Sequence, residues 1–100
     1  MIKHIVQWNH GEHFSEAEKK ANAERIKSEL ESLKEEIDGV ISIQVIINPM
    51  ETSDRDIILD SEFETEEALQ QYQIHPEHVR VSSFVKECVQ DRVCVDYQIK

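Results

Sequence analysis

The spacing of apolar residues switches along the chain between a period of two and a period of about 3.6, the periods of strands and of helices. A period of two runs through residues 2–8, 40–47, 56–63 and 92–99, and polar turn residues lie between these segments. Helical spacing fills residues 15–38 and a region from 65 to 89 that Pro76 divides in two. The order of elements is therefore predicted to be β-α-β-β-α-β, which leaves few topologies to consider.

Local capping signals mark the ends of the predicted helices. Ser15 and Glu18 have the spacing of a capping box, and Gly39 suits the left-handed conformation that often ends a helix. Thr65 is suited to cap the second helix, whereas Pro76 disfavours helical geometry before it and suits the first turn of a new helix. The buried face of the first helix is predicted to comprise Ala17, Ala21, Ile26, Leu30, Leu33 and Ile37.

The predicted order is that of an α+β, ferredoxin-like fold, in which a four-stranded antiparallel sheet carries its helices on one face. Residues 1–100 are expected to form a single domain, because 39% of them are hydrophobic and only 2 are Gly and 2 are Pro. Several strands carry apolar residues on both sides, and a domain of this size cannot cover its second sheet face. A second copy is expected to cover that face, so we predict a homodimer that forms a dimeric α/β barrel.

The composition excludes several classes of partner. A net charge of −10, from 21 acidic and 11 basic residues, disfavours binding to nucleic acid and to anionic membrane surfaces. No apolar run approaches the roughly 20 residues that span a bilayer, and residues 1–4 read as the start of a strand rather than a signal peptide. Cys88 and Cys94 lie outside any C-x-x-C motif and are expected to be free thiols. These features favour a soluble cytoplasmic protein.

The segment from Tyr72 to His78 is the strongest candidate for chemistry. An imidazole can exchange a proton near neutral pH, and a tyrosine hydroxyl can donate a hydrogen bond to a developing oxyanion. One hypothesis makes His78 a general base, Tyr72 an oxyanion donor and His4 a residue that orients the substrate, as in an aldol-type cyclisation or an isomerisation. The structural alternative has His75 capping the helix that begins at Pro76, with Tyr72 and His78 in a hydrogen-bonded corner and His4 in the core.

Two further alternatives remain open at the level of the sequence. His10 and His13 form one H-x-x-H pair, and His75 and His78 form another, so four imidazoles are available to a transition metal if the pairs meet. Neither pair has the H-E-x-x-H spacing of a metalloprotease. The other alternative is a stress-protection or interaction module in which the stable dimer is itself the function.

Four segments together resemble the stress-responsive A/B barrel (Dabb) family. They are residues 2–6, residues 56–63, the motif Tyr72-x-x-His75-Pro76-x-His78, and the closing residues 96–97. The resemblance spans nearly the whole chain and implies a ferredoxin-like dimeric barrel. Members are mostly small proteins of undefined activity, and one plant branch resembles polyketide cyclases that use tyrosine and histidine without an organic cofactor. The resemblance implies catalytic roles for Tyr72, His78 and His4, and a small carbonyl-bearing or apolar ligand beside Tyr72 and His78.

The sequence departs from the family at residues 7–10, Gln-Trp-Asn-His, where many relatives have a lysine-bearing or more apolar strand end. This difference limits what the resemblance implies about the substrate. Some relatives also hold a magnesium ion on backbone carbonyls near the end of the first helix. The equivalent carbonyls here would belong to Lys34, Ile37 and Val40, and no other cofactor is expected.

Overall fold

Four strands and three helices follow one another along the chain in a computed structural model that describes residues 1–99. In chain order they are β1 (Ile2–His10), α1 (Glu16–Glu36), β2 (Val40–Ile46), β3 (Ile57–Phe63), α2 (Glu66–Ile74), α3 (Pro76–Cys88) and β4 (Val89–Gln98). The strands form one antiparallel sheet in the order β2-β3-β1-β4. The predicted ferredoxin-like arrangement is confirmed, including the antiparallel pairing of β2 with β3. None of the helices described is long and apolar enough to cross a membrane.

The predicted caps define the helix ends. At the start of α1 the Ser15 hydroxyl accepts from the Glu18 amide at 3.2 Å, and the Glu18 carboxylate accepts from the Ser15 amide at 2.9 Å, so the capping box is complete. After α1, Gly39 has a φ of 86°. A Cβ atom on Gly39 would lie 2.7 Å from the Cβ atom of Ala68, so both the backbone conformation and the close approach of α2 require glycine. Thr65 caps α2 by accepting from the Ala68 amide at 3.0 Å.

The break between α2 and α3 is made by His75 and Pro76. His75 is extended, with φ −62° and ψ 134°, and its amide donates to the Tyr72 carbonyl at 3.2 Å to close α2. Its Nδ1 atom accepts from the Glu77 amide at 3.1 Å and so caps α3. Pro76 lies in the first turn, where an amide hydrogen is not needed. The structural interpretation of His75 is therefore correct.

The core lies between the helices and one face of the sheet. It includes Val6, Ile26, Leu33, Val45, Ile57, Leu59, Phe63, Tyr72, Val81 and Val85. The prediction that Ala17 and Ala21 belong to the buried face of α1 is wrong: both are exposed, and Ala23 is buried instead. With about 3.6 residues per turn, Ala17 and Ala21 lie about 180° and 140° around the helix from Ile26, whereas Ala23 lies about 60° from it, so the two alanines are on the opposite face of α1.

The other face of the sheet is open and mixed in character. Val93, Val95 and Tyr97 of the edge strand β4 lie there with exposed fractions of 37%, 47% and 50%. Farther across the same face Lys3 forms an ion pair with Asp60 at 2.6 Å. The strands are thus apolar on both sides, as predicted, but the open face combines an apolar edge with a charged cluster.

Candidate functional site

A cavity of about 480 Å³ lies between α3 and the helix-bearing face of the sheet. Its walls come from three strands and all three helices, and comprise His4, Val6, Trp8, Leu30, Leu59, Gln73, His78, Val79, Ser82, Ser83, Val85, Lys86 and Arg92. His4 and His78, two of the three predicted catalytic residues, therefore line the same space although they are far apart in the sequence.

His4 is held by a residue on the neighbouring strand. The antiparallel register places His4 opposite Asp96, and the distance from His4 Nδ1 to Asp96 Oδ1 is 2.5 Å. A carboxylate oxygen accepts, so a ring proton lies on Nδ1, and in the neutral form of the ring Nε2 is the acceptor. The ring is only 3% exposed and meets the edge of Phe63 at a centroid distance of 6.1 Å. His4 is thus an oriented imidazole at the cavity wall.

His78 is held by the backbone of its own motif. Its Nδ1 atom lies 3.1 Å from the Gln73 carbonyl oxygen, which can only accept, so the proton lies on Nδ1 and Nε2 is the acceptor. Burial lowers the pKa of His78 below its ordinary value, and the positive charges of Lys86 and Arg92 add to this effect. The imidazole is therefore neutral at neutral pH, the state that a general base requires.

Tyr72 lies behind His78 rather than in the cavity wall. Its ring centroid is 4.4 Å from that of His78 and 4.8 Å from that of Phe63, and its side chain is fully buried. Burial raises the pKa of Tyr72 far above its ordinary value, so the phenol keeps its proton. Its hydroxyl has no hydrogen-bond partner among the described residues. Tyr72 thus packs against His78. Its catalytic role stays a prediction.

Three further residues give the cavity aromatic or charged groups. Trp8 lies on the same face of β1 as His4, as the alternation of side chains along a strand predicts. Lys86 and Arg92 bring positive charge to the cavity in a chain whose net charge is −10. They come from the end of α3 and from β4, and only the tertiary fold brings them together.

The two H-x-x-H pairs do not converge on a common site. His10 ends β1 and lines a different cavity beside the β2–β3 loop, and the His13 ring stacks on Phe14 with a centroid distance of 4.1 Å. His75 uses its Nδ1 atom to cap α3, whereas His78 lines the cavity beside His4. The members of each pair thus have separate roles.

The end of α1 offers backbone oxygens of the kind that magnesium prefers. The Ile37 amide donates to the Leu33 carbonyl at 3.0 Å, whereas the carbonyls of Lys34 and Ile37 accept no hydrogen bond within residues 1–99. Asp38 and Glu64 line the adjacent cavity of about 640 Å³ and add negative charge. Hard oxygen donors beside carboxylates fit a magnesium ion.

Comparisons with known proteins agree with this architecture. A dimeric protein of unknown function with a ferredoxin-like fold from Bacteroides fragilis has a TM-score of 0.90 and 31% identity, covering 98% of this chain and 95% of its own. A protein from Arabidopsis thaliana has a TM-score of 0.81 and 19% identity, covering 100% of this chain and 96% of its own. Hydroxynitrile lyase from Passiflora edulis has a TM-score of 0.81 and 12% identity, covering 99% and 93% respectively. The last two likenesses show the fold alone.

No curated protein sequence matches the chain. The family described as Stress responsive A/B Barrel Domain matches residues 2–99, as the motif around His75 and Pro76 indicated. The chain belongs to the stress-responsive A/B barrel domain family.

Proposed function

We propose that this protein is a cytoplasmic homodimer that binds a small carbonyl-bearing ligand in the cavity beside His4 and His78. The observation that carries the proposal is that these two imidazoles, from β1 and α3, line one space. Apolar side chains form much of the remaining wall, while Lys86 and Arg92 supply positive charge. Binding sites for small molecules are typically lined by apolar side chains together with a few precisely positioned polar groups. The two cationic side chains favour a ligand that carries a negatively charged group next to its carbonyl.

The same residues support acid–base chemistry without an organic cofactor, which is the enzymatic alternative. The free Nε2 atom of neutral His78 would take a proton from the carbon next to the carbonyl. The negative charge that develops on the carbonyl oxygen would be stabilised by Lys86 or Arg92, and His4 would orient the ligand. Hydroxynitrile lyase from Passiflora edulis has this fold, so an enzyme of this architecture exists.

The homodimer is supported by the open sheet face and by the relatives. The apolar edge formed by Val93, Val95 and Tyr97 is exposed in one chain, and burial of such a patch favours association. The relative from Bacteroides fragilis is described as dimeric. Light scattering is expected to give twice the 11.7 kDa chain mass, and a stable monomer at micromolar concentration would overturn the barrel.

Trp8 provides the test of ligand binding, since it is the only tryptophan of the chain and lines the cavity. Small aromatic 2-oxo acids and the matching neutral ketones are titrated while tryptophan fluorescence is recorded. Quenching that saturates is expected, with tighter binding of the oxo acids. His78→Gln is expected to weaken binding, and His13→Gln, at an exposed residue outside the cavity, serves as the matched control. No quenching at millimolar ligand, or equal quenching in His78→Gln, would overturn the proposal.

A magnesium ion at the carbonyls of Lys34, Ile37 and Val40 is a separate part of the proposal. It rests on the unpartnered carbonyl oxygens at the end of α1 and on the neighbouring carboxylates. An ion that binds only the folded chain stabilises it by about 1.4 kcal/mol at ten times its Kd. Magnesium chloride is therefore expected to raise the melting temperature more than sodium chloride of equal ionic strength. Equal effects of the two salts would exclude the ion.

A further inference from the structure

The edge strand β4 brings three metal-ligating side chains together beside β1. In the antiparallel register Asp96 lies opposite His4 and Cys94 lies opposite Val6, so all three ligand side chains are on one sheet face. The Cys94 sulfur is 3.9 Å from His4 Nδ1 and 3.6 Å from Asp96 Oδ2. One ligand atom from each residue can be chosen so that the three lie within 4.8 Å of one another.

We propose that His4, Cys94 and Asp96 bind one zinc ion, with the fourth position open to water. Zinc bonds of about 2.0–2.3 Å in tetrahedral geometry place neighbouring ligand atoms roughly 3.3–3.6 Å apart. The two distances from the sulfur are close to this range. Only the hydrogen bond from His4 to Asp96 Oδ1, at 2.5 Å, is too short, and a small rotation that presents Oδ2 to the ion relieves it.

The chemistry of the donors selects zinc over the hard cations. Thiolate and imidazole are soft or borderline ligands that suit zinc, whereas magnesium and calcium prefer sets made of oxygen. A thiolate and a carboxylate together carry two negative charges, which balance those of Zn²⁺. Three protein ligands of mixed type with an open fourth position are the pattern of reactive zinc sites rather than of closed structural ones.

The location also gives an ion access. Cys94 and Asp96 are exposed because β4 is an edge strand, while His4 is buried and held in place. An ion can therefore reach the ligands from solvent without unfolding of the chain. The site is anchored on two paired strands, which hold side chains more precisely than loops do.

Zinc at this position would change the hydrogen-bonding role of His4 in the cavity. Without metal, Nδ1 carries the proton and Nε2 is an acceptor. When Nδ1 binds zinc, its proton moves through solvent to Nε2, and the Cys94 thiol releases one proton to solvent. His4 then becomes a hydrogen-bond donor at Nε2. The zinc site does not depend on the proposed ligand, but zinc binding would change the hydrogen bond that His4 makes to such a ligand.

Metal titration of the full chain tests the proposal. Protein stripped with a chelator and desalted is titrated calorimetrically with zinc chloride, and separately with cobalt(II) followed by absorption. One ion per chain is expected, with a thiolate-to-cobalt charge-transfer band and the d–d bands of a tetrahedral ion. Cys94→Ser should abolish the charge-transfer band and weaken zinc binding at least about tenfold, since even outer partners of a metal contribute 10–100-fold. Asp96→Asn should weaken binding by a similar factor.

Two control variants separate this site from the other thiol and imidazoles. Cys88→Ala removes the buried thiol at the end of α3 and is expected to keep the band and the affinity. The double variant His10→Gln, His13→Gln should also bind as the unchanged chain does. Circular dichroism without metal checks that each variant is folded. The proposal fails if the unchanged chain binds no zinc at micromolar concentration, if the band survives in Cys94→Ser, or if either control loses it.

Discussion

Replacement of Tyr72 by phenylalanine is expected to stabilise the protein. The Tyr72 side chain is fully buried and its hydroxyl has no hydrogen-bond partner among the described residues. A buried polar group without a partner lowers stability by about 1–3 kcal/mol, and Tyr72→Phe removes that penalty. The phenyl ring keeps its packing against Phe63 and His78, with centroids 4.8 and 4.4 Å away, so no cavity forms. We expect the free energy of unfolding to rise by about 1 kcal/mol.

Urea denaturation at fixed protein concentration measures this change, because the stability of a dimer depends on concentration. The transition midpoint should rise while the slope m stays constant, since the folded state and its exposed surface are unchanged. For a domain of this size, 1 kcal/mol corresponds to roughly 4–8 °C in melting temperature. Thr52→Val is the control, because Thr52 is exposed in the loop between β2 and β3 and its hydroxyl is hydrated in the folded and in the unfolded chain. The control should change stability by less than about 0.5 kcal/mol.

The reasoning is refuted if Tyr72→Phe lowers the stability by about 1 kcal/mol or more, since the hydroxyl would then donate to a partner. The same variant tests the catalytic role of Tyr72. Because burial raises the pKa of this phenol, Tyr72 can act as a hydrogen-bond donor but not as a base near neutral pH. Greater stability with weaker ligand binding indicates a functional hydroxyl, and greater stability with unchanged binding indicates a packing residue.

Three further variants test other parts of the structure. Gly39→Ala should lower the free energy of unfolding by about 1–2 kcal/mol because of the left-handed backbone, and further because the new methyl group would contact Ala68. In urea titrations the double variant with Ala68→Gly should therefore recover only part of the loss. Burial lowers the pKa of His78 below its ordinary 6.5, so the unfolded chain takes up a proton first and stability should fall as the pH drops below 6.5. His78→Gln should flatten this decline between pH 7.5 and 5.5, and an unchanged slope would contradict the assignment. Val95→Lys, on the open face, should yield a chain of 11.7 kDa by light scattering, whereas Ala21→Lys, on exposed α1, should remain dimeric.

Much of the fold could be predicted because its signals are local. Ser15 with Glu18, Gly39 and Pro76 each act within a few residues, and each marks the end of an element that the structure also has. The alternation of apolar residues along β1 assigns its buried face directly. The start of the buried face of α1 was harder to predict, because alanine is small and a good helix former, so it also occurs on exposed helix faces and does not mark the core as Ile26 and Leu30 do.

The candidate site was predicted only in part, because its residues are held by contacts of two different ranges. His78 is oriented by Gln73, five residues away, so the local motif contains both the imidazole and its support. His4 is oriented by Asp96, which lies 92 residues later in the chain. Arg92 likewise enters the cavity only when β4 has paired with β1. No pattern within a short window contains these relations.

A single bulge in β4 determines which side chains reach His4. Gln7 of β1 pairs with Val93 of β4, and Asn9 pairs with Gln90. The chain therefore advances by two residues on β1 and by three on β4. Asp91 lies within this bulge with a φ of 58°, a conformation that aspartate tolerates better than most residues. Because side chains alternate between the two faces of a sheet, one extra residue moves every following side chain of the strand to the opposite face. The bulge therefore turns Asp96 towards His4 and the apolar residues of β4 towards the open face, so the candidate site and the proposed dimer surface depend on the same irregularity.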